Sequence, residues 1–191
     1  MIQLISPFEE AKIRELKVGD EVSISGIVFT GRDAVHKYLH EGGALPEGVS
    51  LKNGIIYHCG PVVMKDPSGG WRVTAAGPTT SMREEPYQGE IIQKFGVRGV
   101  IGKGGMGIRT LAACREHGCV YFHAIGGAAQ VLAECVKQVR NVYFLEKFGS
   151  PDAIWELEVA DFPVVVTMDS HGRSLHEEIL SLSSSELARR L

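Results

Sequence analysis

The sequence is short of aromatic residues, at 7%, and it has no apolar run near the ~20 residues that a membrane-spanning helix needs. It has no basic excess either: 20 Lys and Arg stand against 23 Asp and Glu, a net charge of -3. A nucleic-acid surface is normally built on a surplus of Lys and Arg, so that class is disfavoured. Cysteine is sparse. Cys59, Cys114, Cys119 and Cys135 include no CxxC pair, which excludes zinc-ribbon and thioredoxin-type sites and leaves reduced, mostly buried thiols of a cytosolic protein. The first residues, MIQLISPFEEAKIREL, lack the basic and apolar regions of a secretory signal. No internal repeat or low-complexity linker divides the chain, so residues 1–191 read as one domain, with 179–191 as a terminal helix or tail. Hydrophobic residues at 44% and charged residues at 23% make disorder a poor description.

What the sequence does have is glycine. Twenty-three of 191 residues are glycine, about 12% against a usual level of roughly 7%. They gather at Gly42-Gly43, Gly69-Gly70, Gly102 to Gly107 and Gly126-Gly127. Glycine loops let backbone N–H groups approach a ligand closely, and anions are the favoured guests.

The patterning predicts β structure over the first 30 residues and a helix from Asp33. Strands over 54–59 and 71–76 follow, around the turn DPSGG. From Trp71 onward strands alternate with helices. A helix over 80–95 has Ser81 and Glu84 spaced as a capping box and Gly96 as its stop. A strand over 98–102, a helix over 107–117, a strand over 119–124 and a helix over 128–139 come next. Strands over 141–148, 154–162 and 163–169 and a last helix near 174–190 complete the chain. The expected fold is α/β: layered β structure plus a parallel-sheet unit whose βα loops gather at one edge.

Three loops could carry chemistry. Gly77-Pro78-Thr79-Thr80-Ser81-Met82-Arg83 places three hydroxyls at a helix start, with Arg83 a turn further on. It reads either as plain capping or as a carboxylate or phosphate site. Gly102-Lys103-Gly104-Gly105-Met106-Gly107 contains a formal GxGxxG. A dinucleotide site would need an acid after the next strand, and HAIGGAAQ has none. It is not a P-loop either, which leaves a glycine nest carrying one ammonium. In Thr30-Gly31-Arg32-Asp33, Arg32 follows a strand and precedes a helix, and a salt bridge to an acid is its simpler reading. Lys103 lies one βα repeat after Arg83, so a parallel sheet would make their loops neighbours. Three cations at three loop beginnings could hold a small dicarboxylate. His36 and His40, at i,i+4, read as a helix-surface pair, and no histidine makes a Ser–His or Cys–His signature. Trp71 and Trp155 read as core.

VSISGIVFTGRDAVHK, IIYHCGPVV, AAGPTTSMRE, GVIGKGGMG and FHAIGGAAQ, in this order, resemble the C-terminal part of class I fumarases. The same region resembles the separate β chain of two-subunit fumarases and of L-tartrate dehydratases. The resemblance covers roughly residues 3–178. It implies a swivelling β/β/α domain, similar to the mobile domain of aconitase. It implies half of a hydro-lyase that hydrates fumarate to (S)-malate, or handles L-tartrate or another 2-hydroxy diacid. A [4Fe–4S] cluster is implied on a partner α subunit and not on this chain, in an αβ or α2β2 assembly in the cytoplasm. Carried over by motif, Thr79 is the base. Thr80, Arg83, Lys103, Gly104 and Arg32 bind substrate, with Arg83 and Lys103 also assisting catalysis. The front strands, Ile2 to Phe29, are the expected contact with the partner. A non-catalytic anion-binding module is the alternative of a different class.

Overall fold

The computed structural model of the chain describes residues 1–67 and 69–190. Nine strands and seven helices form a mixed α/β fold, counted among those residues. Strands β1 (Ile2–Ser6), β2 (Glu21–Thr30), β3 (Ile55–Tyr57), β6 (Gly99–Gly102) and β7 (Val120–His123) run parallel through successive pairings. The long β9 (Ile154–Met168) pairs antiparallel with β7 on one side and with β2 on the other. That double pairing closes β2, β3, β6, β7 and β9 into a barrel, and β8 (Val136–Tyr143) extends it along β9. A separate hairpin pairs β4 (Val62–Lys65) with β5 (Trp71–Ala75).

Strand residues alternate between two cores, as the pleat requires. Ile24, Ile55, Tyr57, Ile101, Phe122, Trp155, Leu157 and Phe162 share one cluster with Phe8 and with Ile13 of α1 (Glu10–Glu15). Ile56, Val100 and Tyr121 point the other way. They pack under α2 (Asp33–His40), α3 (Glu85–Phe95) and α4 (Ile108–His117), against Leu39, Ile91, Ile92, Leu111 and Cys114. Gly96 and Gly118 end α3 and α4 with φ of 67°, the left-handed turn that glycine enters without a Cβ penalty.

Several boundaries differ from the sequence reading, each for a physical reason. The first 30 residues are not continuous β structure, since α1 interrupts them. The helix expected over 128–139 stops early: α5 is Ala129–Glu134, and β8 begins at Val136. Its valines recur every third residue because register shifts interrupt the pairing with β9 at Val136/Gln138 and Val139/Asn141. A strand with such bulges loses its period of two and imitates a helix. Residues 145–148, expected as strand, form the short helix α6 (Leu145–Phe148). The two strands expected over 154–169 are one, with Asp161 at positive φ where the facing β2 register shifts. The helix over 80–95 starts as a 3-10 turn, Ser81–Arg83, before α3. Strand 71–76 pairs with β4 and not with the main sheet; part of the turn between them, Ser68, lies outside the described residues. Trp155 is fully buried as expected, and Trp71 is half-buried against it, edge to face at 5.3 Å.

Candidate active site

Because β2, β3, β6 and β7 are parallel, their C-terminal ends share one edge, and each is followed by a loop there. The three loops singled out in the sequence meet at that edge. The segment after β5 bridges two of the strand ends. Pro78 pairs with Cys59 beyond β3, and Thr80 pairs with Lys103 beyond β6. The Lys103 N–H donates to the Thr79 carbonyl at 3.3 Å, and the Ser81 N–H donates to the Lys103 carbonyl at 3.1 Å. The neighbour relation expected for Arg83 and Lys103 is therefore met, but by the loop itself lying along β6 and not by adjacent strands.

Thr79 is held by one acceptor. Its N–H donates to the His58 carbonyl at 2.7 Å, and its hydroxyl donates to the same oxygen at 3.1 Å. Thr80 is exposed and Lys103 half-buried. Lys103 makes no ion pair among the described residues. Its stem lies on the loop after β7, where a Cβ at Gly126 would come within 3.2 Å of Lys103 Cδ. Gly104 has φ of +81° with open space where a Cβ would stand.

The arginines are paired. Arg32 Nε lies 3.4 Å from Asp152 and 3.9 Å from Asp33, and Arg83 Nη1 lies 3.9 Å from the other Asp33 oxygen. Asp33 thus joins the two arginines. A Cβ at Gly60 would come within 2.9 Å of Arg32 Nη1, so that glycine makes room for the guanidinium. Lys103 stands apart from these ion pairs, which leaves one cation at this edge with no carboxylate partner among the described residues.

Beneath these loops lies a buried polar chain. His58 Nδ1 is 2.8 Å from Ser81 Oγ, which is 2.8 Å from the Tyr121 hydroxyl. His58 Nε2 and His36 Nε2 lie 2.9 and 2.8 Å from the side-chain amide of Gln88. Burial lowers His58 to about 3, with His36 beside it adding to the effect, and burial lowers His36 as well. Burial pushes Glu84 up to about 8, so its carboxyl is neutral at pH 7. The capping box is consequently not formed. The Ser81 hydroxyl serves the chain below, and the Glu84 side chain is buried without a hydrogen-bond partner. His36 and His40 are no surface pair either. His36 is buried, and His40 is bonded at 2.6 Å to Glu90.

The helix N-terminus behind the glycine loop is occupied. Glu85 of α3 accepts from the N–H groups of Gly107, Arg109 and Thr110 and from the Thr110 hydroxyl. The start of α4 is thus already taken, and the cationic side chains and Thr79–Thr80 are the polar groups left at this edge. A cleft of about 670 Å³ runs from Met82 and Gly104 under α7 (Leu175–Arg190). Its lining is mainly apolar, with Met106, Ile108, Leu111 and Leu180, which suits a dicarboxylate poorly.

The family model for the fumarase C-terminus matches residues 1–179. The chain belongs to the fumarase C-terminus family. It is 59% identical over 189 residues to a Geobacillus stearothermophilus protein that bears the name of a class I fumarate hydratase, a match covering 99% of this chain and 36% of that protein. It spans little more than a third of that relative. It is 43% identical over 172 residues to a Methanocaldococcus jannaschii protein that bears the name of an L(+)-tartrate dehydratase subunit beta, covering 87% of each. The L(+)-tartrate dehydratase subunit beta of Escherichia coli K12 is 34% identical over 176 residues, 92% of this chain and 86% of that one.

An iron–sulfur cluster is held by converging cysteine thiolates. Cys59, Cys114 and Cys119 are buried free thiols in the core, and Cys135 is half-buried. Among the described residues no three His, Cys, Asp or Glu side chains converge. These cysteines do not fit a cluster. No helix among the described residues is long and apolar enough to cross a membrane. Sequence reasoning named Thr79, Thr80, Arg83, Lys103, Gly104 and Arg32, and missed the residues beneath them. The salt bridge expected for Arg32 is found with Asp33 and Asp152; Gln88 carries no motif, and the signal for His58 and Ser81 was Gly102, whose missing side chain makes room for both.

Proposed function

We propose that this chain is the β subunit of a class I fumarate hydratase, a swivelling β/β/α domain that completes its site with a cluster-bearing α subunit in the cytoplasm. The [4Fe–4S] cluster belongs to that partner in this reading, in an αβ or α2β2 assembly. One observation carries the reading: the backbone pairing of Thr79–Ser81 with Lys103 beside the Arg32–Asp33–Arg83 group.

The chemistry asked of these residues is removal of a weakly acidic proton next to a carboxylate, and its return in hydration. Lys103 and Arg83 hold the carboxylate whose negative charge grows as the proton leaves. Arg32 and Thr80 orient the dianion, with the backbone at Gly104 within reach. Thr79 Oγ1 is the proton's destination. A threonine hydroxyl is a poor base in water, so Thr79 first loses its own hydrogen to solvent, giving up the bond to the His58 carbonyl, and the cations at this edge stabilise the alkoxide so formed. The group that handles the departing hydroxyl is assigned to the partner.

L-Tartrate dehydration is the second reading, favoured by relatives of nearly the same length as this chain that are named for it. Both substrates are C4 diacids, and the loops described here suit either. The test is anaerobic hydration of fumarate and dehydration of L-tartrate by the chain alone and mixed with its cluster-bearing partner. Activity only in the mixture, with fumarate favoured, is the expected result. Preference for tartrate would move the assignment to the second reading. Inactivity of a formed, cluster-loaded complex with both would refute both readings and leave dehydration of another 2-hydroxy diacid or an anion-binding module.

A further inference from the structure

The buried chain under the loops has a direction that hydrogen-bond chemistry determines. His36 Nδ1 lies 2.9 Å from the Arg32 carbonyl, which can only accept, so this nitrogen carries the hydrogen. A neutral His36 then has a bare Nε2, and the Gln88 atom 2.8 Å from it must donate. That atom is the amide nitrogen, since the two ends of a glutamine amide are told apart by their partners. Its second hydrogen reaches His58 Nε2 at 2.9 Å, so His58 also carries its hydrogen on Nδ1 and donates to Ser81 Oγ.

We infer that Gln88 turns its amide nitrogen to both rings, that His36 and His58 are both neutral Nδ1–H tautomers, and that His58 and Gln88 are thereby positioning residues for Thr79. The inference rests on the proposed role of Thr79. The chain starts at the Arg32 carbonyl, passes His36, Gln88, His58 and Ser81 and ends at the Tyr121 hydroxyl, while the Ser81 N–H donates to the Lys103 carbonyl. It therefore ties together the backbones of the loops carrying Arg32, Thr79 and Lys103. His58 is its middle member, and its carbonyl holds Thr79.

The alternative is a buried imidazolium at His36, with Gln88 accepting from both rings. The charged groups facing the pair do not support it. On α2, Asp33 is already shared by Arg32 and Arg83. At the start of α3, Glu84 lies 4.0 Å from His58 Nδ1 and is neutral. With the amide turned, a carbonyl replaces the otherwise unpartnered Gln88 Nε2, one helical turn beyond the Glu84 carboxyl.

Long-range ¹H–¹⁵N correlation of the histidine side chains in the full chain reads the tautomers directly, from about pH 5 to about pH 8. The expected result is a protonated Nδ1 and bare Nε2 at both His36 and His58, constant over the range. A hydrogen on His58 Nε2, or an imidazolium at His36, would overturn the inference. The readout needs neither partner nor turnover, so it stands or falls apart from the fumarase reading. Gln88→Glu, whose ionised carboxylate can accept but not donate, is the second arm, read at about pH 8. It should switch His58 to the Nε2–H form and, in the assembled enzyme, lower kcat roughly tenfold or more with KM within about twofold. Unchanged tautomers and unchanged kcat in that variant would contradict the assignment, because an accepting Gln88 is mimicked by Glu.

Discussion

Thr79 donates both of its hydrogens to a single oxygen, the His58 carbonyl, from its N–H at 2.7 Å and from its hydroxyl at 3.1 Å. The Thr79 hydroxyl is thereby held in one orientation in the resting chain. Holding a reacting atom in one orientation is how a site converts packing into rate.

Gly102 tests whether the chain beneath Thr79 is close-packed. A Cβ there would fall 1.8 Å from Ser81 Oγ and 2.8 Å from the Tyr121 hydroxyl. Gly102→Ala should destabilise the chain by about 1–3 kcal/mol, as overpacking of a core does. Chemical denaturation measures this, and an unshifted midpoint would show that the Ser81 contact can yield.

Lys103→Ala and Arg83→Ala should weaken substrate binding in the assembled enzyme. A charge-assisted hydrogen bond contributes about 1.5–3 kcal/mol, so KM should rise roughly 10- to 100-fold. Lys103, which has no ion pair among the described residues, should show the larger effect. Arg83 is shared with Asp33 and largely exposed, and its loss should be milder. Steady-state kinetics on both variants checks the order.

Glu84 carries a pH signature. Its value of about 8 in the fold stands above the ordinary 4.5 of the unfolded chain. The folded state therefore holds one more proton than the unfolded state between those values. Stability from this group is fully present below about 4.5 and is lost as pH rises towards about 8. The slope is at most about 1.4 kcal/mol per pH unit. Glu84→Gln removes it, so the variant should gain on the wild type between about pH 5 and about pH 8 in denaturation curves. A difference constant with pH would mean that Glu84 is ionised in the fold.

The fold was legible where periodicity was clean. GVIG and its flanking glycines place β6 and the loop after it, and Gly96 and Gly118 mark two helix ends without ambiguity. It was illegible where bulges disturbed the pleat, as at Val136, Val139 and Val142 of β8. Closure of the barrel depends on β9 reaching both β7 and β2, a non-local pairing that no local pattern encodes. The site divides in the same way. Charged and hydroxyl residues in glycine loops were visible as motifs, whereas Gln88 and Glu84 look like ordinary helix residues until the fold buries them.

Thr79 Oγ1 is the atom proposed to take the substrate proton. The most direct measurement compares Thr79→Ser and Thr79→Val with the wild type, each assembled with the cluster-bearing partner and assayed anaerobically with fumarate. Thr79→Val should assemble normally and lose about 10²- to 10⁴-fold in kcat, the usual contribution of a positioned base, while Thr79→Ser retains most of the rate. Near-normal turnover by an assembled Thr79→Val enzyme would contradict the claim.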